Sequence, residues 1–150
     1  MLDQIRDLYQ EVVFDHNRNP RNFRVMEDAT RKIEGFNPLC GDRITLYVKV
    51  EGELIADVSF QGSGCAISTA SASLMTEIVR GQTEEQAHHL FELFHRITTG
   101  QDEDANLDEL GKLAVLAGVR AYPARVKCAT LPWHSLEAAL QSEADTVSTE

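Results

Sequence analysis

Two stretches in the first half of the chain alternate apolar and polar residues. The apolar positions of the first are Ile44, Leu46, Val48 and Val50, and those of the second are Leu54, Ala56, Val58 and Phe60. A period of two is that of a half-buried β-strand. The connection at 51–53 contains Gly52 and suits a tight turn, so the pattern predicts an antiparallel hairpin whose outer ends lie side by side.

Apolar residues at intervals of three and four predict helices elsewhere in the chain. The first helix runs from the N-terminus to about His16. A second begins directly after Cys65 and stops at Gly81. A third begins at the capping-box pattern of Thr83 and Gln86.

The last third of the chain has a stripe of leucines. They recur at every third position, at Leu107, Leu110, Leu113 and Leu116. This stripe predicts a helix that ends at Gly118, after which Pro123 opens a helical turn and Pro132 opens the last helix. The stretches 24–39 and 100–106 have neither period and are predicted to be loops.

These elements predict an α+β fold. We expect a single domain over residues 1–141, with a small antiparallel sheet of about three strands and helices packed on one side of it. Residues 142–150 are polar and are expected to form a flexible tail.

Composition excludes several classes of function. The chain has 150 residues, of which 43 % are hydrophobic, enough for the core of one domain. A net charge of -10 argues against a nucleic-acid surface, which needs clustered basic residues. There is no apolar run of membrane-spanning length and no signal-peptide core at the N-terminus, so we expect no membrane contact and a cytoplasmic location.

Three cysteines carry the candidate chemistry. They are Cys40 in NPLCGD, Cys65 in GSGCAIS and Cys128 in RVKCATLPW, and Asp42 lies two residues after the first. The predicted hairpin brings Cys40 and Asp42 close to Cys65. Cytoplasmic thiols stay reduced, so an odd number of cysteines indicates metal ligands or reactive thiols rather than disulfides.

The chemistry of these side chains leaves two roles open. Three sulfurs and one carboxylate make a four-coordinate zinc set, although the same ligands also suit iron. A thiolate is also a nucleophile that can carry sulfur. Cys65 is predicted next to a helix N-terminus, where the macrodipole favours the thiolate.

The cysteine motifs resemble those of the U-type iron–sulfur cluster assembly proteins, a family with a SufE/NifU-like fold. CGD at 40–42, GSGCAISTASASLM at 62–75 and PARVKCATLPW at 123–133 appear in the family's order. Two features make the chain most similar to the SUF-system branch, the SufU proteins. The interval between the last two motifs holds an additional helical stretch, and Lys127 stands where the IscU scaffold branch has a histidine.

The resemblance implies a zinc-dependent sulfurtransferase. Zinc would be held by Cys40, Asp42, Cys65 and Cys128. Cys40 would take persulfide sulfur from a pyridoxal-phosphate-dependent cysteine desulfurase and pass it on, a downstream SUF scaffold being one candidate acceptor. Arg125 would pair with the Cys40 thiolate or with Asp42, because a guanidinium binds either anion.

Two other functions remain open on the sequence. The same cysteines could form a scaffold on which a [2Fe–2S] cluster is assembled, although Lys127 cannot replace a histidine as an iron ligand. The chain could also be a non-catalytic protein that activates the desulfurase by docking.

Several polar residues have a plainer interpretation. His16, His88, His89 and His95 are expected on solvated helix faces, and His134 on an exposed helix position. Arg125 and Lys127 are equally well explained as surface charges.

Overall fold

An antiparallel sheet with helices packed against it forms the body of the structure, as the sequence predicts. The computed structural model describes residues 2–38, 41–99, 107–121, 123–141 and 146–148. In chain order the elements are α1 (Leu2–Arg18), β1 (Arg31–Asn37), β2 (Asp42–Glu51), β3 (Leu54–Ser63), α2 (Ala66–Val79), α3 (Glu84–Thr98), a 3-10 segment (Leu107–Ala121), α4 (Pro123–Gln141) and β4 (Thr146–Ser148).

The predicted hairpin is present as β2 and β3, with one correction to its register. The strands pair antiparallel around a turn in which Gly52 has a φ of 65°. A bulge between Lys49 and Val50 shifts the pairing, so that Val50 faces Ile55. The bulge reverses the expected burial near the turn, because Ile55 is fully buried whereas Leu54 is 42 % exposed.

The prediction of a loop over residues 24–39 is wrong, because β1 occupies Arg31–Asn37 and pairs antiparallel with β2. Gly35 made this strand hard to recognise in the sequence, because glycine usually marks a turn. A Cβ at Gly35 would collide with Ser135 Oγ of α4 and lie 3.2 Å from the Leu131 side chain. The glycine therefore allows α4 to pack directly on the strand.

The short strand β4 extends the sheet at its other edge. Thr146–Ser148 pairs in parallel with β1 along Glu34–Phe36, so the strand order among the described residues is β3-β2-β1-β4. Three residues of the stretch predicted as a flexible tail are thus paired. Residues 142–145 and 149–150 lie outside the described residues, and the domain boundary at residue 141 stays a prediction.

Helices α2 and α3 begin where the sequence predicts. Cys65 is the N-cap of α2, and Thr83 forms a complete capping box with Gln86 at the start of α3. The N-cap position places Cys65 at the end of the hairpin because only Gly64 separates it from β3. The Cys65 thiol therefore lies at the junction of the sheet and α2.

The leucine stripe forms a 3-10 segment rather than an α-helix, and it continues past the predicted end at Gly118 to Ala121. A 3-10 helix has three residues per turn, so side chains three apart share one face. Leu110, Leu113, Leu116 and Val119 are accordingly all buried. Gly111, with a φ of 56°, interrupts the segment. The acidic loop predicted at 100–106 lies outside the described residues.

The two helical pieces predicted around Pro123 and Pro132 form the single helix α4. Pro132 lies inside it and cannot donate the hydrogen bond that its position normally supplies. The helix continues because Leu131, Trp133 and Leu136 on both sides of the proline are fully buried in the core. Helix α4 packs on β1, β2 and α2, which brings Cys128 to the sheet.

No helix in the described part of the chain combines the length and apolar character needed to cross a membrane.

Candidate metal centre

Three of the four predicted ligands meet where the sheet joins α2 and α4. Asp42 is the first residue of β2 and pairs with Asn37, the last residue of β1. Cys65 follows β3, whose last residue pairs with Arg43. Cys128 comes from the second turn of α4. The hairpin thus supplies two of these residues and the packing of α4 supplies the third.

Their ligand atoms converge closely. One carboxylate oxygen of Asp42 and the Sγ atoms of Cys65 and Cys128 all lie within 4.8 Å of one another. Asp42 is only 1 % exposed and Cys128 is fully buried, whereas Cys65 is partly exposed. The site is therefore closed on the side of α4 and accessible on the side of Cys65.

The carboxylate of Asp42 is held by two hydrogen bonds. Its Oδ1 accepts from the backbone N–H of Cys65 at 2.8 Å, and its Oδ2 accepts from Asn37 Nδ2 at 3.0 Å. Gly64 makes room for this arrangement, because a Cβ there would lie 2.5 Å from Asp42 Oδ1. These donors compensate a buried carboxylate that would otherwise be costly to desolvate.

Each thiol has its own hydrogen-bonding environment. Cys65 Sγ accepts a hydrogen bond from the backbone N–H of Ser68 at 3.5 Å, and this bond caps the N-terminus of α2. Cys128 Sγ accepts from Asn37 Nδ2 at 3.4 Å and lies 3.7 Å from the carbonyl oxygen of Ala124. Each sulfur thus has an N–H donor, and the Cys128 thiol, when protonated, can itself donate to the Ala124 carbonyl.

Asn37 is the site residue that the sequence did not reveal. It is fully buried and contacts both Asp42 and Cys128. The prediction treated it as part of the loop before Cys40. The alternation of Ile33, Gly35 and Asn37 on the inward face of β1 is the signal that would have pointed it into the site.

Cys40, the fourth predicted ligand, lies outside the described residues, together with Leu39. Arg125 lies three residues before Cys128 in the first turn of α4 and has an exposed side chain. Lys127 is half-buried. The ligand role of the four residues and the catalytic role of Cys40 and Arg125 stay predictions.

The histidines are not part of this cluster, since no described histidine belongs to the converging group. The surface position expected for His16 is wrong, because this residue is 1 % exposed and its Nδ1 lies 2.7 Å from Ser73 Oγ. His88 is exposed as expected and pairs with Glu92 and with Glu137.

His134 is also more enclosed than predicted. It is half-buried, with its ring against those of Phe91 and His95 at centroid distances of 5.2 and 5.6 Å. Burial, and to a lesser extent the charge of His95, lower the pKa of His134 below its usual value of 6.5. The His134 ring therefore packs against neighbouring rings and does not belong to the converging group of ligand atoms.

The described residues fit zinc on their donor chemistry. Tetrahedral zinc with Zn–S distances of about 2.3 Å separates two sulfurs by about 3.8 Å, and the ligand atoms here lie within 4.8 Å. Two thiolates and a carboxylate in so small a space would repel one another unless a cation offset their charge. Thiolate ligands select zinc, copper(I) or iron–sulfur clusters over hard cations such as magnesium.

Comparison with known proteins gives a consistent family assignment. The family model described as the NifU-like N-terminal domain matches residues 8–129. The zinc-dependent sulfurtransferase SufU of Bacillus subtilis is 43 % identical over 136 residues, which cover 91 % of each protein. The iron–sulfur cluster assembly scaffold protein IscU of Streptococcus pyogenes serotype M1 is 40 % identical and covers 96 % of this chain and 89 % of its own.

A solved structure is similar in both fold and sequence. The crystal structure of FiSufU, described as a candidate iron–sulfur cluster assembly scaffold protein for the SUF system from Fervidobacterium islandicum AW-1, superposes with a TM-score of 0.83. It is 36 % identical in sequence, and the match covers 89 % of this chain and 97 % of FiSufU.

Proposed function

The chain belongs to the NifU-like N-terminal domain family, and from that premise we propose that it is a zinc-dependent sulfur acceptor in iron–sulfur cluster assembly. Its sulfur donor would be the persulfide of a pyridoxal-phosphate-dependent cysteine desulfurase. The observation that carries the proposal is the convergence of Asp42, Cys65 and Cys128 within 4.8 Å. The name of the Bacillus subtilis relative supports zinc and sulfur transfer over other uses of such a site.

We expect Asp42, Cys65, Cys128 and Cys40 to hold the zinc ion. When bound, zinc would keep the thiols deprotonated and would add no redox chemistry of its own. Asn37 and the N–H groups of Cys65 and Ser68 hold the ligands in place. The reduced thiols that this chemistry needs favour a cytoplasmic setting.

Burial argues that Cys128 is not the thiol that meets the partner. Its sulfur is fully buried and hydrogen-bonded to Asn37, so a persulfide on another protein cannot reach it. Cys65 is partly exposed but is committed to the N-cap of α2. These restrictions favour Cys40, the third thiol, as the acceptor.

The transfer step is an ordinary thiol exchange. The Cys40 thiolate attacks the outer sulfur of the desulfurase persulfide, a new S–S bond forms on Cys40, and the bond to the desulfurase cysteine breaks. The desulfurase cysteine leaves as a thiolate, so charge and atoms balance. Arg125, exposed in the first turn of α4, would pair with the Cys40 thiolate or with Asp42 and orient the nucleophile.

Replacement of Cys40 tests the proposal directly. The Cys40→Ser variant should accept no labelled sulfur from a cysteine desulfurase supplied with ³⁵S-cysteine, whereas the wild type should become labelled. Ser63→Ala, an exposed substitution at the end of β3, serves as the matched control and should be labelled like the wild type. Labelling of Cys40→Ser at the wild-type level would contradict the assignment.

A scaffold function is the second candidate, and it is supported by the IscU name of the Streptococcus pyogenes relative. A [2Fe–2S] cluster assembled on the same residues would give the purified protein iron, labile sulfide and a visible chromophore. A docking activator without transfer would stimulate the desulfurase even as Cys40→Ala. Each alternative therefore has a distinct measurement.

A further inference from the structure

We infer that Asn37 is a positioning residue of the metal centre, whose single amide nitrogen holds Asp42 and Cys128 at a fixed separation. The inference rests on the proposed function, since it concerns how zinc is held. Asn37 Nδ2 donates to Asp42 Oδ2 at 3.0 Å and to Cys128 Sγ at 3.4 Å. One side chain thus connects a ligand from β2 to a ligand from α4, two elements that come together only in the tertiary fold.

The chemistry of its neighbours fixes the orientation of the amide. A carboxylate only accepts hydrogen bonds, and a thiolate does the same. The NH₂ group has two N–H donors, one for each acceptor. The opposite orientation would turn the Asn37 carbonyl oxygen toward two negatively charged groups, so the assigned orientation is the favourable one.

Apart from these two N–H groups, the Asn37 side chain makes no hydrogen bond with the described residues. Asn37 is fully buried, and among the described residues its Oδ1 has no hydrogen-bond partner. A buried amide with an unpaired carbonyl is costly, so the two N–H bonds to Asp42 and Cys128 are the favourable polar contacts of this side chain. Its place at the end of β1, directly opposite Asp42 in the ladder, keeps the amide at the site.

The consequence is that Asn37 controls how strongly the metal is held. Without the Asn37 donors, the Asp42 carboxylate keeps one hydrogen bond, from the Cys65 N–H, and can change its orientation. Cys128 loses the N–H that Asn37 donates to its sulfur. Partners that orient metal ligands in this way typically change metal affinity by about 10–100-fold when they are removed.

Two substitutions at Asn37 test the inference, with one control on the same strand. Asn37→Asp keeps the shape but replaces the donors with a further negative group, and Asn37→Ala removes the donors without adding charge. Ile33→Val trims a buried side chain of β1 and removes no hydrogen-bonding group. Zinc dissociation constants from competition with a chromophoric chelator are measured for all four proteins, together with melting of the metal-free forms.

We expect Asn37→Ala to bind zinc about 10–100-fold more weakly than the wild type and Ile33→Val. Asn37→Asp separates the two effects, because its carboxylate attracts the cation but donates no hydrogen bond to Asp42 or Cys128. Cobalt(II) substituted for zinc supplies a readout that a purely structural role would not move. The thiolate-to-cobalt absorption should change in the Asn37 variants and not in Ile33→Val, whatever their melting temperatures. Because two different substitutions are compared, the result stands even if one of them fails to fold.

The outcomes separate this inference from the proposed function. If the wild type binds zinc and cobalt and the Asn37 variants match it in affinity and spectrum, the role of Asn37 is overturned and the proposed function stands. If the wild type binds neither ion, the proposed function fails and the role of Asn37 fails with it.

Discussion

Two buried polar clusters adjoin helix α2, and they differ in how completely their hydrogen bonds are satisfied. The metal-centre cluster consists of Asn37, Asp42, Cys65 and Cys128. The His16 cluster consists of His16 and Ser73, joined by the backbone N–H of Arg21. Both combine residues that are distant in the sequence, so proximity alone does not distinguish a functional site from a structural one.

The members of the His16 cluster bond to one another. Ser73 Oγ accepts from the Arg21 N–H at 2.9 Å and lies 2.7 Å from His16 Nδ1, to which its own proton can go. His16 Nε2 faces Glu77 at 3.7 Å, and α1 packs along α2 at this point. Ser73 Oγ and His16 Nδ1 bond to each other and Glu77 lies near Nε2, so the cluster joins the two helices.

The metal-centre cluster brings together atoms that can bind a metal ion. Two sulfurs and a carboxylate oxygen lie within 4.8 Å of one another, with N–H donors around them. Asn37 Oδ1 has no partner among the described residues. The difference teaches that converging metal-ligand atoms, and not burial of polar groups as such, mark the site.

The largest expected effect comes from Cys128→Ser. Loss of a ligand should weaken zinc binding by more than about 100-fold, because loss of a mere supporting partner already costs 10–100-fold. Ser73→Ala in the His16 cluster is the matched change, and it should lower stability while leaving one zinc per chain. Zinc content after gel filtration measures both. Equal retention of zinc by the two variants would remove the distinction between the clusters.

Gly64→Ala should have an intermediate effect. Its Cβ would lie 2.5 Å from Asp42 Oδ1, so the carboxylate must move and zinc affinity should fall by about tenfold. The control is Gly52→Asn in the hairpin turn, where the φ of 65° suits asparagine and no atom lies within 4 Å of an added Cβ. Chelator competition compares the two, and a Gly64→Ala protein with wild-type affinity would show that Asp42 is not held as described.

The smallest effect on the metal centre is expected from His16, which affects stability through pH. Burial, chiefly, and the charge of Arg21 lower the pKa of His16 below its usual value of 6.5, although Glu77 opposes this. The unfolded chain therefore binds a proton more readily than the folded one. The stabilising contribution is complete above pH 6.5 and is lost as the pH falls through the lower pKa of the folded state.

His16→Gln should cost about 1–3 kcal/mol at pH 7.5 and should flatten the dependence of stability on pH below about 6.5. Denaturant unfolding at several pH values measures this, with zinc content determined alongside. Unchanged zinc content is expected. An unaltered pH dependence in His16→Gln would assign that dependence to other groups, and lost zinc would couple the clusters that we describe as independent.

Features specified by neighbouring residues were predictable from the sequence. The hairpin, the start of α2 at Cys65 and the capping box of Thr83 each depend on a few adjacent positions. The resemblance carried by the three cysteine motifs is confirmed by the family model that matches residues 8–129. The spacing of the motifs alone could not bring Cys128 to Asp42, because that contact depends on how α4 packs on the sheet.

Features specified by distant residues were missed for the same reason. Gly35 and Asn37 look like loop residues, and only the approach of α4 explains them as strand positions. His16 looks like a surface residue until Ser73, 57 positions away, is placed against it. The spacing of three in the leucine stripe did signal a 3-10 segment, but an α-helical period tolerates the same pattern over a few turns.

Metal content is the measurement that tests the account most directly. The protein purified without chelator is analysed for zinc, iron and labile sulfide, and its visible spectrum is recorded. We predict one zinc per chain and no visible absorption, with zinc lost in Cys128→Ser. Iron with labile sulfide and a brown chromophore would contradict the zinc-dependent transfer function and would identify the chain as a cluster scaffold.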